Sequence, residues 1–121
     1  PNLYRRSHIL VHTKYKDPCP TVVIEAMSCG LPVVGSASGG MPELLGAGGG
    51  ILLPVPETWD EIPVPDAEAL AGAIREIEAD LPRWQQQARE RAVAHFDVDS
   101  GVGRHNELFT ALIETSVEER A

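Results

Sequence analysis

The chain has 121 residues, 43% of them hydrophobic, which suits one globular unit with a buried core. Ten Lys and Arg against 18 Asp and Glu give a net charge of −8, the wrong sign for binding nucleic acid or an anionic membrane surface. Residues 1–60 hold four basic and five acidic side chains, whereas residues 61–121 hold six and thirteen. If the chain binds an anionic ligand, the binding site is expected in the first half.

Two cysteines, Cys19 and Cys29, occur with no CxxC pair and no histidine pair at metal-ligand spacing. This pattern predicts neither a disulfide framework nor a metal site, and it favours a reducing compartment. No apolar run approaches the roughly 18 residues of a membrane span, and residues 1–6 lack a signal-peptide core. We expect a cytoplasmic protein that meets a membrane only through segments outside this chain. The missing initiator Met and the abrupt entry into patterned sequence lead us to expect a piece of a longer protein.

Three short apolar runs predict strands, at residues 8–12, 33–36 and 50–55. A helix is predicted between the first two, over residues 20–29, with Pro at its start and Gly after its end. A second short helix is predicted over residues 41–45. Strands that alternate with helices and are apolar on both faces indicate a parallel sheet with right-handed crossovers.

From Asp66 onward the pattern is helical only, with a capped first helix, a restart at Pro82 and a last helix around residues 102–113. The proline-rich residues 56–65 form a connector between the alternating part, residues 1–55, and this helical part. We therefore predict a single α/β domain over 1–121. Three strands are few for a doubly wound sheet, so further strands are expected upstream.

Glu25 is the only formally charged side chain between Pro18 and Pro42. Helical side chains lean toward the N-terminus of their helix, so Glu25 is expected to lean toward Thr21. That end carries partial positive charge and free amides, which favour an anion such as a phosphate. A carboxylate one turn below can accept hydrogen bonds from a ribose of the same ligand. The alternative is a solvent-facing glutamate on an edge helix.

Asp17 follows the first predicted strand, and Gly39 and Gly40 follow the second. The carboxyl ends of parallel strands share one edge of a sheet, where ligands collect. Glycines at that edge let backbone amides approach a ligand closely. From the residues alone, Asp17 is equally well explained as a loop or capping carboxylate.

The run Asp17-Pro-Cys-Pro-Thr-Val-Val-Ile-Glu25-Ala-Met-Ser-Cys-Gly-Leu-Pro-Val-Val, followed by Gly-Gly-Met-Pro-Glu43, resembles the signature of retaining GT-B glycosyltransferases of group 1, the family-four type. That signature has two acids separated by seven residues, then Glu-Ala-x-x-Cys-Gly-x-Pro-Val-Val and Gly-Gly-x-Pro-Glu. The likeness covers residues 3–55. It implies a partial Rossmann-like three-layer domain, the C-terminal nucleotide-sugar-binding domain of such an enzyme.

The resemblance also implies an activity, the transfer of a hexose-type sugar from a nucleoside diphosphate sugar to a hydroxyl of a sugar, lipid or small molecule. No cofactor and no metal are expected beyond this donor substrate. By resemblance, Glu25 binds the ribose hydroxyls and Asp17 holds hydroxyls of the transferred sugar. The diphosphate would face Thr21 and the amides around Pro20 to Val22.

In the family, the basic diphosphate ligands, the base pocket and the acceptor domain lie upstream of the signature. The 121-residue chain alone is therefore predicted to be inactive and to need the preceding segments of the same enzyme. The first acid of the signature is usually Glu, and Asp17 is one methylene shorter. This supports one alternative, a non-catalytic module that keeps the fold. A GT-B-like epimerase or phosphorylase is the other.

Four further polar residues are weaker candidates. For Lys14 and Lys16, a solvated loop is preferred over a phosphate contact. For His12, a partly buried ring with satisfied hydrogen bonds is preferred over a sugar contact. Glu43 is expected to serve its own short helix.

The remaining expectations concern packing. Cys19 and Cys29 are expected to be buried as small apolar groups. Trp59 and Trp84 are expected to pack against other elements, and residues 114–119 to form a solvated acidic face.

Overall fold

The computed structural model describes residues 2–118, and their side chains as far as residue 115. Three strands form one parallel sheet in the order β1-β2-β3, with β1 at Leu10–His12, β2 at Val33–Ser36 and β3 at Gly50–Leu53. Val34 lies beside Val11 on one side and Ile51 on the other. The predicted parallel sheet is confirmed.

Six helices occur in the described residues: α1 (Asn2–Arg5), α2 (Thr21–Ser28), α3 (Met41–Leu45), α4 (Ala67–Ala79), α5 (Leu81–Phe96) and α6 (Val98–Glu118). The helices predicted between the strands, and the three predicted after the connector, are present. The Asp66 carboxylate accepts a hydrogen bond from the Ala69 amide at 2.9 Å, which confirms the predicted cap of α4.

Helices cover both faces of the sheet. Because successive residues of a strand point to opposite sides, neighbouring residues of β2 belong to two different apolar clusters. Val33 packs with α2, α3 and α5 in one cluster, whose largest fully buried members include Met27, Met41 and Leu45. Val34 packs with Leu53 and with residues of α4 in the other. β2 is buried along its whole length. This three-layer α/β arrangement confirms the predicted fold class.

Trp84 is partly buried against the α4 side of the core, as predicted. Trp59 is 87% exposed, so the expectation that it packs against other elements is wrong. The buried positions of the connector are Pro63 and Pro65 instead. Cys19 and Cys29 are also exposed, contrary to prediction. Both lie at the ends of α2, where the chain turns toward solvent.

The α6 helix contrasts with the rest of the fold. None of its described side chains is buried, and large apolar residues such as Phe109, Leu112 and Ile113 are more than half exposed. Glu114 is exposed as predicted, whereas Glu119 lies outside the described residues. Across residues 2–118, no helix has the combination of length and apolar character that crossing a membrane requires.

Candidate functional site

The loops that follow β1 and β2 meet at the carboxyl edge of the sheet. The buried Ser36 hydroxyl donates a hydrogen bond to the Thr13 carbonyl oxygen at 3.0 Å. The Lys16 amide donates to the Ser38 hydroxyl oxygen at 3.1 Å. These two bonds hold the predicted Asp17 loop against the predicted glycine loop.

Gly39 and Gly40 are in close contact with the Asp17 loop. The Gly40 amide donates to the Asp17 carbonyl oxygen at 2.9 Å, and a Cβ on Gly40 would lie 2.0 Å from the Pro18 carbonyl oxygen. Gly39 has φ +58°, in the left-handed region. The close approach is therefore to the protein's own backbone. The expectation that Gly40 offers its amide to a ligand is corrected, because that amide is already bonded.

The Asp17 carboxylate lies between two basic side chains. Its Oδ2 is 3.1 Å from Lys14 Nζ and 3.5 Å from His12 Nε2, and the Asp17 side chain is 13% exposed. Lys14 remains 69% exposed, in keeping with the expected solvated loop, yet it pairs with the acid. His12 is partly buried, but its Nε2 has no hydrogen-bond partner within the described chain. The expectation of a satisfied histidine is wrong, because at 3.5 Å from Asp17 Oδ2 the His12 Nε2 makes no well-formed hydrogen bond.

The first turn of α2 is open. Pro20 occupies the N-cap position, and no side chain caps the helix. The amides of Thr21 and Val22 precede the first intrahelical donor and so have no helical partner. Pro20 has no N–H to offer, so it shapes this turn without donating to a ligand. The first turn thus presents two amides and the exposed Thr21 hydroxyl.

Glu25 lies one turn further along α2 and is exposed. The Tyr4 hydroxyl on α1 donates a hydrogen bond to Glu25 Oε2 at 2.8 Å. This bond raises the pKa of Tyr4, since loss of the proton would remove it and place a second negative charge beside the carboxylate. Sequence reasoning missed Tyr4, because the two residues are 21 positions apart and only tertiary packing joins them.

A cavity of about 540 Å³ lies beside Glu25, lined by Tyr4, Ile24, Glu25, Ser28, Cys29, Phe96 and Val98. The side chain thus faces α1 and the C-terminal half of α2 instead of leaning toward Thr21 as expected. The phenol donor on α1 explains this orientation. No hydrogen bond or ion pair joins Glu25 to Asp17 in the part of the chain that the structure describes.

Sequence reasoning also missed a groove beside Lys16. Two cavities of about 320 Å³ and 540 Å³ share Lys16, Gly39 and Glu57, and the larger also contacts Trp59. We call this surface the edge groove. The Lys16 side chain is 23% exposed, its Nζ lies 3.2 Å from the centroid of the Trp59 ring, and Glu57 is 3.8 Å away. The prediction of a solvated Lys16 is therefore wrong, because the connector covers it.

No group of three or more His, Cys, Asp or Glu side chains is arranged to hold a metal ion within the described residues.

The sequence matches the family described as glycosyl transferases, group 1, over residues 1–92. The chain belongs to this family. The resemblance stated from the Asp17 and Glu43 motifs is thereby confirmed. Among curated proteins, this chain is 27% identical over 118 residues to the D-inositol 3-phosphate glycosyltransferase of Saccharomonospora viridis. The alignment covers 97% of this chain and 27% of that protein.

Two solved structures share the fold. Sucrose-phosphate synthase from Thermosynechococcus elongatus has a TM-score of 0.73 and 32% sequence identity, covering 93% of this chain and 27% of that one. Anabaena HepE in complex with UDP-glucose has a TM-score of 0.69 and 28% identity, covering 92% of this chain and 29% of that one. The chain thus spans little more than a quarter of the relatives it matches. The expected Rossmann-like, GT-B-type architecture is confirmed.

Proposed function

We propose that the protein containing this chain transfers a hexose-type sugar from a nucleoside diphosphate sugar to an acceptor hydroxyl, with retention of configuration. The chain supplies part of the donor site. The observation that carries this proposal is the pair of acids in a group 1 glycosyl transferase fold, Asp17 in the loop at the ligand edge of the sheet and Glu25 one turn into α2, the helix that begins at that edge. The related HepE structure, which holds UDP-glucose, supports a nucleotide-sugar donor.

Glu25 binds the ribose of the donor in this proposal. The side chain is exposed on α2, and Tyr4 uses only Oε2 of its carboxylate. The carboxylate therefore keeps acceptor capacity at Oε1 for ribose hydroxyls. Such hydrogen bonds to a charged acceptor are stronger than those between neutral groups.

Asp17 holds hydroxyls of the transferred sugar. Both basic neighbours, Lys14 and His12, approach Oδ2, which leaves Oδ1 to accept from a ligand. Since the loop backbone is fixed against Gly40, Asp17 reaches the sugar from a set position. The contact orients the donor carbon toward the acceptor, a role that depends on geometry.

On the diphosphate side, this chain contributes Thr21 and Val22. Their amides and the Thr21 hydroxyl stabilise charge that develops on the departing diphosphate, helped by the N-terminal end of the α2 dipole. Basic diphosphate ligands from other parts of the enzyme add to this. The donor is a substrate, and no further cofactor is proposed.

The proposal is tested by calorimetric titration of the full-length protein with UDP and UDP-glucose, comparing wild type with Glu25→Gln. An amide replaces a charged acceptor, so the affinity is expected to fall tenfold to about a hundredfold. The matched control is Glu68→Gln, an exposed acid in the first turn of α4, which should bind like wild type. Unchanged affinity of Glu25→Gln would remove Glu25 from the site.

A second candidate is a non-catalytic nucleotide-sugar-binding module, favoured by the shorter acid at position 17. It predicts donor binding without any transfer to an acceptor or to water. Turnover of nucleotide sugar by the full-length protein separates the two. The family match favours either of them over an epimerase or phosphorylase.

We also propose a reducing, cytoplasmic location, supported by the free thiols of Cys19 and Cys29. The isolated 121-residue chain is expected to show no sugar transfer. Its acceptor pocket is expected in other segments of the enzyme, and an acceptor that is not held beside the donor gains no rate enhancement from proximity.

A further inference from the structure

The connector after β3 is attached to the Asp17 loop by its residues 57–59, which we call the strap. The Tyr15 hydroxyl donates to the Thr58 carbonyl oxygen at 3.0 Å and accepts from the Thr58 amide at 2.8 Å. Both partners are backbone groups, so these bonds fix the path of the strap whatever side chain stands at position 58. Tyr15 lies two residues before Asp17. The strap is thus joined directly to the loop that carries this acid.

Lys16 makes a second contact with the strap. Its Nζ lies 3.2 Å from the centroid of the Trp59 ring, 5.2 Å from that of Tyr15 and 3.8 Å from Glu57 Oε1. Nζ is buried, so the two rings and the carboxylate stand where water would otherwise solvate the ammonium group. Trp59 is exposed on the side away from the lysine, and its contact is with Lys16. The contact explains why an otherwise exposed indole stands in this connector.

The backbone of Lys16 is in an unusual conformation. Its φ is +50°, in the left-handed region that residues with a Cβ seldom adopt. Such conformations persist where the surroundings enforce them, and they cluster at functional sites. Here the Tyr15 bonds precede the turn, Trp59 covers the lysine side chain, and the Lys16 amide donates to the Ser38 hydroxyl oxygen at 3.1 Å. These contacts determine the direction in which the chain enters Asp17.

The Asp17 carboxylate depends on this backbone for its position. Lys14 approaches it at 3.1 Å but is itself 69% exposed, and His12 lies 3.5 Å away without a well-formed hydrogen bond. Neither side chain can fix the carboxylate by itself. A misplacement of about 1 Å at a group that orients a substrate can cost about a hundredfold in rate. Contacts that hold the turn before Asp17 therefore bear on the reaction.

We propose that Tyr15 and Trp59 are positioning residues for the transfer reaction. Acting through the turn at Lys16, they hold Asp17 in place at the donor sugar and touch no substrate themselves. The strap is thereby part of the machinery of the donor-sugar site. This rests on the proposed function for the role of Asp17, and on the strap contacts alone for the link to the connector.

The first test compares UDP with UDP-glucose in the full-length protein. Tyr15→Phe and Trp59→Ala should each lower kcat about tenfold and UDP-glucose affinity about threefold, with UDP affinity within about twofold of wild type, because UDP lacks the sugar. Trp59→Phe keeps a ring face for Lys16 and should retain most of the activity. The control is Ile62→Ala, an exposed apolar residue of the same connector, which should leave all constants unchanged. Equal losses of UDP and UDP-glucose affinity would overturn the proposal.

A double-mutant cycle separates positioning from general support of the fold. If Tyr15 acts through the Asp17 carboxylate, adding Tyr15→Phe to Asp17→Asn should change the residual kcat by less than about twofold. A further tenfold fall, about the same as in wild type, would mean that Tyr15 acts independently of Asp17, and the proposal would be wrong.

Hydrogen exchange tests the strap without ligand or turnover. In the full-length protein, the peptide covering residues 14–19 includes the Lys16 amide that donates to Ser38. Its exchange should be about tenfold faster in Tyr15→Phe and unchanged in Ile62→Ala. Unchanged exchange in Tyr15→Phe would show that the strap does not hold the loop. If wild type turns over no nucleotide sugar, the proposed function fails, and this measurement still decides whether the strap holds the Asp17 loop.

Discussion

The two acids of the proposed donor site have opposite surroundings. The Asp17 carboxylate is 13% exposed and flanked by two basic groups, and its backbone is bonded to Gly40. Glu25 is exposed, on a short helix, with one phenol as its partner. The position of Asp17 is therefore determined by backbone packing, whereas the carboxylate of Glu25 is held by its side-chain hydrogen bond with Tyr4. Changes near Asp17 should disturb the fold, and changes near Glu25 should act on the ligand alone.

The largest effect is expected from Gly40→Ala. Its Cβ would lie 2.0 Å from the Pro18 carbonyl oxygen, so the loops after β1 and β2 must separate. We expect a loss of about 3 kcal/mol in unfolding free energy, together with loss of turnover. Urea unfolding of the full-length protein, followed by circular dichroism, measures the first.

The control for Gly40→Ala is Gly72→Ala, within α4, where an added Cβ meets nothing within 4 Å. Since alanine favours a helix over glycine, this variant should gain about 0.5–1 kcal/mol. If Gly40→Ala is as stable as wild type, the Asp17 loop is not held by close packing, and the contrast with Glu25 disappears.

Asp17→Asn should have the next largest effect, on turnover. The amide keeps the shape of the side chain but weakens its contact with the sugar, so kcat should fall about a hundredfold. UDP lacks the transferred sugar that Asp17 is proposed to hold. The affinity of the variant for UDP should therefore stay within about twofold of wild type. Steady-state kinetics and calorimetry measure the two quantities.

Asp17→Glu sharpens the same experiment, because it restores the longer acid usual in the family. Retained activity would show that the loop accommodates the added methylene. A parallel loss of kcat and UDP affinity in Asp17→Asn would instead mean that this acid supports the loop through Lys14 and does not touch the donor sugar.

The sequence allowed the fold to be predicted well because local patterns determine it. Apolar runs on both faces located the three strands, and the Asp66 cap located the start of α4. The motif spacing also located both candidate acids. These features depend on residues close together in the chain, where periodicity and capping rules apply.

The long-range contacts around Glu25 and beside the edge groove could not be predicted from the sequence. Tyr4 reaches Glu25 across 21 positions and Tyr15 reaches Thr58 across 43. No local pattern encodes either pairing, because each depends on how two elements pack. The exposure of Trp59 was not predicted for the same reason. A proline-rich connector has no hydrophobic periodicity, so its sequence does not indicate whether the indole is buried or exposed.

The smallest effect is expected from Tyr4→Phe, which removes the hydrogen bond that holds Glu25 Oε2. Loss of a single exposed hydrogen bond should lower UDP affinity about threefold to tenfold, with only a small loss of stability. If the Tyr4 hydrogen bond orients Glu25 toward the ribose hydroxyls, Tyr4→Phe should lower the affinity for 2′-deoxy-UDP less than it lowers the affinity for UDP. Calorimetry with both nucleotides gives the comparison.

The pH dependence of this contact follows from the raised pKa of Tyr4, whose ordinary value is 10.0. Because the folded pKa lies above the unfolded one, the stabilisation by the hydrogen bond is fully present below about pH 10 and is lost as the pH rises through the folded pKa. A wild type minus Tyr4→Phe ultraviolet titration should show phenol ionisation above pH 10. Tighter UDP binding by Tyr4→Phe would mean that the phenol competes with the ribose for Glu25, and the acid would then be held away from the ligand instead of being oriented toward it.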